Sequence, residues 1–127
     1  MAKKRLPESY HCPLPDERVA VTHKFVVGGN KGYITAGMYE DGRIGEVFIV
    51  MSKTGSSMAG LLDCFSIAVS TGLQHGVPLQ RFVDKFKMQR FEPAGFTDHP
   101  VIRDATSVID YVFQWLELRF LTNSEKQ

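Results

Sequence analysis

Residues 51–76 read MSKTGSSMAGLLDCFSIAVSTGLQHG. Met58, Leu61, Leu62, Phe65, Val69 and Leu73 recur there at the spacing of one helical face. Asp63 is the only charge between them, and Ala59, Ala68 and Gly72 keep the remaining surface small, so neighbouring backbones can approach closely. A helix of this composition is expected to be buried, as the central helix laid across a sheet. Ser56 or Ser57 is the expected N-cap, its side-chain oxygen accepting from an otherwise unpaired N–H. Gly76 takes the left-handed position beyond the C-terminus, and Pro78 opens the next helix as its first residue.

Upstream, the pattern changes to period two. From Arg18, Val19, Val21, His23, Phe25 and Val27 alternate with Ala20, Thr22, Lys24 and Val26, up to the loop Gly28-Gly29-Asn30-Lys31-Gly32. A second strand spans Tyr33 to Tyr39, and Asp41-Gly42 is a hairpin turn signal. The third strand, Ile44 to Met51, places Phe48 and Val50 on one side and Val47, Ile49 and Met51 on the other. Apolar on both faces, it is expected to be covered on both. His23, a lone histidine on a strand, reads as a structural residue, hydrogen-bonded or half-exposed, rather than a catalytic one.

Downstream, Pro78 to Lys87 is a short amphipathic helix with Leu79, Phe82, Val83 and Phe86 inward. Arg90-Phe-Glu-Pro-Ala-Gly-Phe-Thr97 follows as an irregular segment, which Phe91 and Phe96 are expected to pin to the body of the domain. The last helix begins near Asp104 to Thr106, either of which can cap it, and runs to Leu121. Its polar side is a thin strip of Ser107, Asp110, Gln114 and Glu117; nearly everything else is large and apolar. One sheet face cannot cover that excess, so the helix is either sandwiched inside the domain or shows an apolar surface to a partner, with Tyr111, Trp115 and Leu118 as the candidate interface residues. The fold class is α+β: a three-stranded antiparallel β-meander followed by three helices packed on the sheet.

At 127 residues, 43% apolar, the chain suits one domain with a real core. Residues 1–18 hold Pro7, Pro13 and Pro15 and read as an extended arm, residues 19–121 as the domain, and residues 122–127 as a polar tail. A formal charge of +1 with interspersed signs argues against a dedicated nucleic-acid or membrane surface. The basic start lacks the apolar run of a secretory signal, and no apolar run approaches bilayer length, so a cytoplasmic location is expected. Cys12 and Cys64, the only two cysteines, read as a loop thiol and a buried small hydrophobe.

No recognisable catalytic constellation is present, and no metal site is expected: His11 and Cys12 are adjacent but lack a second ligand pair. Neither glycine-rich stretch has Rossmann or P-loop spacing. The best binding candidate is the strand-to-helix turn of Lys53, Gly55, Ser56 and Ser57. The first N–H groups of a helix favour an anion, and Lys53 adds charge, so phosphate or nucleotide is the ligand class.

Several stretches resemble the TSCPD domain, the C-terminal accessory region of adenosylcobalamin-dependent (class II) ribonucleotide reductases. They are Thr22-His-Lys-Phe25, Gly32-Tyr-Ile-Thr35, Tyr39-Glu-Asp-Gly42, Gly55-Ser-Ser57 and Gly60-Leu-Leu-Asp63. Leu73-Gln-His-Gly-Val-Pro-Leu79, Lys85-Phe86, Arg90 to Thr97, Asp110-Tyr111 and Trp115-Leu116 complete the set. The resemblance spans about residues 18–121. It implies that reduction takes place in a separate ten-stranded barrel carrying the cobalamin and the reactive cysteines, with no cofactor bound by this chain. The family's zinc ribbon and reducing tail are absent here, as is the literal Thr-Ser-Cys-Pro-Asp string. The implied role is a non-catalytic accessory or regulatory module in deoxyribonucleotide synthesis. Its expected partner is a second copy of itself, as a homodimer, or a ribonucleotide reductase catalytic subunit. The alternative is a stand-alone nucleotide- or anion-binding module using the turn at residues 53–58.

Overall fold

A computed structural model describes residues 11–121 of the chain. Its elements are β1 (Ala20–Val27), β2 (Asn30–Met38), β3 (Ile44–Met51), α1 (Ser56–Gln74) and α2 (Leu79–Phe86), then the two-residue strands β4 (Gly95–Phe96) and β5 (Asp104–Ala105), and α3 (Val108–Leu116). A π-helical turn, Glu117–Leu121, continues α3. Strands β1, β2 and β3 form an antiparallel sheet in sequence order, so the α+β meander with three helices expected from the sequence is what the chain adopts.

Turn chemistry sets the register. Gly28 and Gly29 have φ of +55° and +82°. Two successive positive φ values are what a two-residue hairpin needs to match strand twist. The turn therefore ends sooner than the glycine spacing suggests, and Asn30 to Gly32 belong to β2. At the next hairpin Gly42 sits at φ +91°, and the Asp41 carboxylate accepts from the Arg43 N–H at 3.0 Å.

Alternation puts Phe25, Val27, Ile34, Ala36, Val47 and Ile49 on one face, all buried. Both α1 and α3 pack on that face. Phe48 and Val50, on the other, stay exposed, because no described element crosses it. The expected covering of both faces of β3 is thus corrected.

Helix α1 runs along the free edge of β3. The Ser70 hydroxyl accepts from the Val47 N–H at 2.9 Å and donates to the Val47 carbonyl at 3.1 Å. Ser66 accepts from the Ile49 N–H at 3.3 Å, and the Gln74 amide donates to the Gly45 carbonyl at 3.0 Å. Four helical residues rise about 6 Å and two strand residues about 6.6 Å, so side chains at i, i+4 and i+8 keep step with alternate strand residues. The helix thereby answers the open backbone groups of an edge strand.

That position leaves α1 half uncovered, contrary to the burial expected of it. Leu62, Ser66, Val69, Ser70 and Leu73 are buried, whereas Leu61 is 67% and Ile67 59% exposed. Cys64, expected to be buried, is exposed on the same outer side. By length and composition alone Ser56–Gln74 is apolar enough to cross a bilayer, which amends the sequence reading that no run comes near this. In the fold its inner stripe is engaged with β3.

The buried centre is α3. All of its residues except Gln114 are buried. Phe25 stacks on Tyr111 at 4.7 Å between centroids, and Phe86 meets Phe113 at 5.5 Å, so sheet and α2 enclose it from two sides. Its polar strip also points inward. Asp110, 1% exposed, accepts from the N–H groups of Met88 at 2.7 Å and Thr106 at 2.9 Å and from the Gln114 amide at 2.9 Å. Lys87 pairs with Glu117 at 2.7 Å.

Helix ends depart from expectation in detail. Gly55 is the α1 N-cap and no side chain caps it; Ser56 and Ser57 are its first two residues. At the far end Val77 N–H reaches the Gly72 carbonyl at 2.9 Å and Gly76 N–H that of Leu73 at 3.1 Å, with Gly76 at φ +93°. This is the glycine-terminated Schellman pairing the sequence predicts. Pro78 is the α2 N-cap rather than its first residue. Ser107 caps α3 by accepting from the Asp110 N–H at 2.9 Å, because Asp104 and Ala105 are drawn into β5.

Part of the expected arm is fastened down. Cys12 N–H donates to the Gln74 carbonyl at 2.9 Å, the Tyr39 hydroxyl to the Cys12 carbonyl at 2.5 Å, and Arg18 pairs with Glu46 at 2.7 Å. The arm's first ten residues and the tail 122–127 lie outside the described residues.

Candidate functional site

Three connections meet at one end of the sheet: the β1–β2 turn, the link from β3 to α1, and the segment after α2. Their meeting depends on Gly28, where an added Cβ would lie 2.2 Å from the Ala94 carbonyl oxygen. Gly28 N–H donates to the Phe96 carbonyl at 2.8 Å, Phe91 N–H to that of Thr106 at 3.0 Å, and Thr97 N–H to that of Arg103 at 3.0 Å. Backbone bonds, not aromatic anchors, hold this segment. Phe96 is 83% exposed and Phe91 is also exposed, so the expected pinning by these two rings is corrected.

Between the connections is a cleft of about 260 Å³, with Lys53, Thr54, Asn30 and Glu92 among its polar lining and Met51, Leu62 and Val108 among its apolar lining. A smaller depression of about 210 Å³ shares Asn30 and Lys53 and adds Lys31. Of the predicted site residues, only Lys53 lines these spaces; Gly55, Ser56 and Ser57 are exposed on the adjoining turn. Glu92 brings a negative charge to the cleft that Lys53 enters, which weakens its pull on an anion. Ligand pockets usually span about 300–1,000 Å³. The cleft therefore suits a phosphate-sized group or one side chain better than a whole nucleotide.

Of the candidate interface residues, Tyr111 is fully buried and Trp115 only 6% exposed, with Leu118 partly buried against the same core. The apolar excess of α3 is consumed inside the chain. Tyr111 and Trp115 instead form an aromatic cluster that sequence reasoning did not assemble. His23 Nε2 is 2.8 Å from the Tyr111 hydroxyl, and its ring stacks on Trp115 at 4.8 Å. His99 approaches edge-on at 6.0 Å and accepts at Nδ1 from the N–H groups of Val101 and Ile102.

Burial pushes the His23 pKa below its ordinary value; nearby His99 adds to this and Asp98 opposes it. Burial, with help from Asp98, raises the Tyr111 hydroxyl well above the usual phenol range. A neutral His23 and a protonated Tyr111 join β1 to α3, which matches the structural role expected of His23. No sequence signal links residues 88 positions apart. Among the described residues, no group of three or more His, Cys, Asp or Glu is arranged to hold a metal ion.

With this geometry established, comparison with known proteins places the chain. The TSCPD domain family matches residues 5–120. A protein of Streptomyces coelicolor named vitamin B12-dependent ribonucleotide reductase is 56% identical over 108 residues, 85% of this chain and 11% of the relative. Proteins of the same name from Rhodopirellula baltica and Bradyrhizobium diazoefficiens are 47% and 48% identical, over 88% and 86% of this chain and 11% and 9% of theirs. The chain thus spans only about a tenth of the length of these relatives. No solved structure matches it.

Proposed function

We propose, from the premise that this chain belongs to the TSCPD domain family, that it is a non-catalytic accessory or regulatory module of a vitamin B12-dependent ribonucleotide reductase. It acts in the cytoplasm, in deoxyribonucleotide synthesis, by docking on a catalytic chain. One observation carries this reading: each relative bears the matched segment as a small part of a much longer reductase chain. Cofactor and reducing cysteines are assigned to that larger part, and residues 19–121 to the module. The test is capture of the tagged full chain from its source cells, followed by assay of any recovered B12-dependent reductase with and without it. A recovered reductase whose turnover or assembly responds to the chain is expected. Recovery of none, or complete indifference, sinks the proposal. By itself the chain is expected to reduce no ribonucleotide with adenosylcobalamin and a dithiol; turnover lost in Cys64→Ser would overturn this.

The uncapped α1 N-terminus favours a second reading, an anion- or nucleotide-binding module built on Lys53, Gly55, Ser56 and Ser57. Lys53→Ala and Gly55→Val should then weaken inorganic phosphate binding in calorimetry without unfolding the chain. No binding by the parent, or equal binding by both variants, removes this reading.

A further inference from the structure

We propose that the outer face of α1 pairs with the same face of a second copy of this chain, helix antiparallel to helix, about a two-fold axis at Cys64. The inference goes beyond the accessory role and does not depend on it. Ser57, Gly60, Leu61, Cys64, Ile67, Ala68 and Thr71 are all exposed. Their spacing is a single stripe along the helix, of the kind that seats against another helix. Two of them are large and apolar, Leu61 at 67% and Ile67 at 59% exposure, which a lone surface gains nothing by displaying.

What selects a second copy is the order of the stripe. Read outward from Cys64, Leu61 is matched by Ile67, Gly60 by Ala68, and Ser57 by Thr71. Each pair is equidistant from Cys64 and alike in size or chemistry. An isologous interface requires a patch complementary to itself after a two-fold rotation. In an antiparallel crossing, Leu61 meets the other copy's Ile67 and Gly60 meets its Ala68, small against small, so the backbones can close up. A Cβ added at Gly60 finds no atom within 4 Å in the single chain, so the space is free for the partner. Asp63, the only charge on α1, flanks the stripe.

The helix also borders an apolar groove of about 500 Å³, whose lining includes Met58, Leu61, Phe65, Phe86 and Phe91. The antiparallel pairing brings the other copy's Ile67 to the mouth of that groove beside Leu61. A 19-residue helix is about 28 Å long, enough to carry the whole stripe from Ser57 to Thr71, and the groove beside it widens the apolar patch. The open sheet face is a weaker competitor. There Lys24 lies in one cross-strand row with Tyr33 and Val50, so charge interrupts its apolar surface.

The test uses the full chain in sedimentation equilibrium and in oxidative cross-linking with copper phenanthroline. A dimer is expected, with Leu61→Asp and Ile67→Asp each raising its dissociation constant by about 100-fold or more while circular dichroism stays native. The reducible cross-link should persist in Cys12→Ser and vanish in Cys64→Ser. A monomeric parent at high micromolar concentration, a dimer indifferent to both aspartates, or a cross-link running through Cys12 overturns the proposal. So does a monomer that needs Ile67 to bind a reductase chain or lipid vesicles, since the face then belongs to that occupant.

Discussion

Helices α1 and α3 are both apolar by composition, and the fold treats them in opposite ways. The longer, α1, is engaged along one stripe and open along the other, whereas α3 is enclosed nearly all round. Their polar residues explain the difference better than their apolar ones. On α1, Ser66, Ser70 and Gln74 face inward because the β3 edge offers unpaired backbone groups at matching intervals. A helix at a sheet edge has one side on the strand and the other toward solvent. On α3, Asp110 faces inward because the chain turns at Met88 and Thr106 leave N–H groups to satisfy, and Ser107 because it caps the helix at the Asp110 N–H. Satisfied there, the strip has no need of water, and the helix can be covered on every side.

The largest test of that contrast is Trp115→Glu. Were α3 a docking surface, this change would spare the fold and abolish association. With Trp115 6% exposed against His23 and Phe120, it should instead destabilise the domain by about 4 kcal/mol or more, read by urea denaturation. Stability within about 1 kcal/mol of the parent would return α3 to the surface.

Next in size is the edge pairing of α1. Ser70→Ala strands both the N–H and the carbonyl of Val47 in a buried setting, at a cost of about 1–3 kcal/mol. Ser57→Ala, on the exposed side of the same helix, should stay within about 0.5 kcal/mol. Equal effects would mean that the hydroxyl pairing contributes nothing to the position of α1.

These residues also mark how far the sequence could be read. Strand alternation, the Gly28-Gly29 and Asp41-Gly42 turns and the glycine stop at Gly76 are local signals, and they located the sheet and the helices. The inner face of α1 was misread because Ser66 and Ser70 look like interruptions until a strand edge lies beside them. Between a sandwiched α3 and one facing a partner the sequence could not choose, for the same reason, since Asp110 looks like a solvent-facing charge until Met88 and Thr106 approach. At the candidate site Lys53 was legible from its place before a helix, but Asn30 and Glu92 come from distant connections. Gly28 was legible as a turn residue, but not as the point where the Ala94 backbone comes against it.

A smaller, pH-dependent effect should arise where α3 meets β1. Burial holds the His23 pKa below its unfolded value, so the unfolded chain takes up the proton first. Stability should therefore fall as pH drops below about 6.5 and be regained above it. Tyr111 is shifted upward, so its contribution is complete below about pH 10 and declines as pH rises further. Denaturation midpoints across pH 5–8 in the parent and in His23→Gln check the acid limb. An unchanged limb in the variant would remove His23 as its source.

The smallest effect has the opposite sign and separates the two sides of α1 most finely. Gly60 and Gly72 lie in the same helix, yet a Cβ at Gly60 meets nothing within 4 Å, while one at Gly72 would sit 2.7 Å from Phe82 Cζ. Alanine in an unobstructed helical position is favoured over glycine by about 0.5–1 kcal/mol, chiefly because the unfolded chain loses freedom. Gly60→Ala should thus raise the melting temperature by roughly 2–6 °C, whereas Gly72→Ala must displace the Phe82 ring and should lower it. Both are measured at concentrations low enough for the chain to be monomeric, since in the antiparallel pairing a methyl at Gly60 would press on the other copy's Ala68. A stabilised monomer with a weakened dimer would show that the residue is open within one chain and closed between two. Destabilisation of the monomer by Gly60→Ala would mean that the outer side of α1 is already covered within a single chain, and the contrast with α3 would fail.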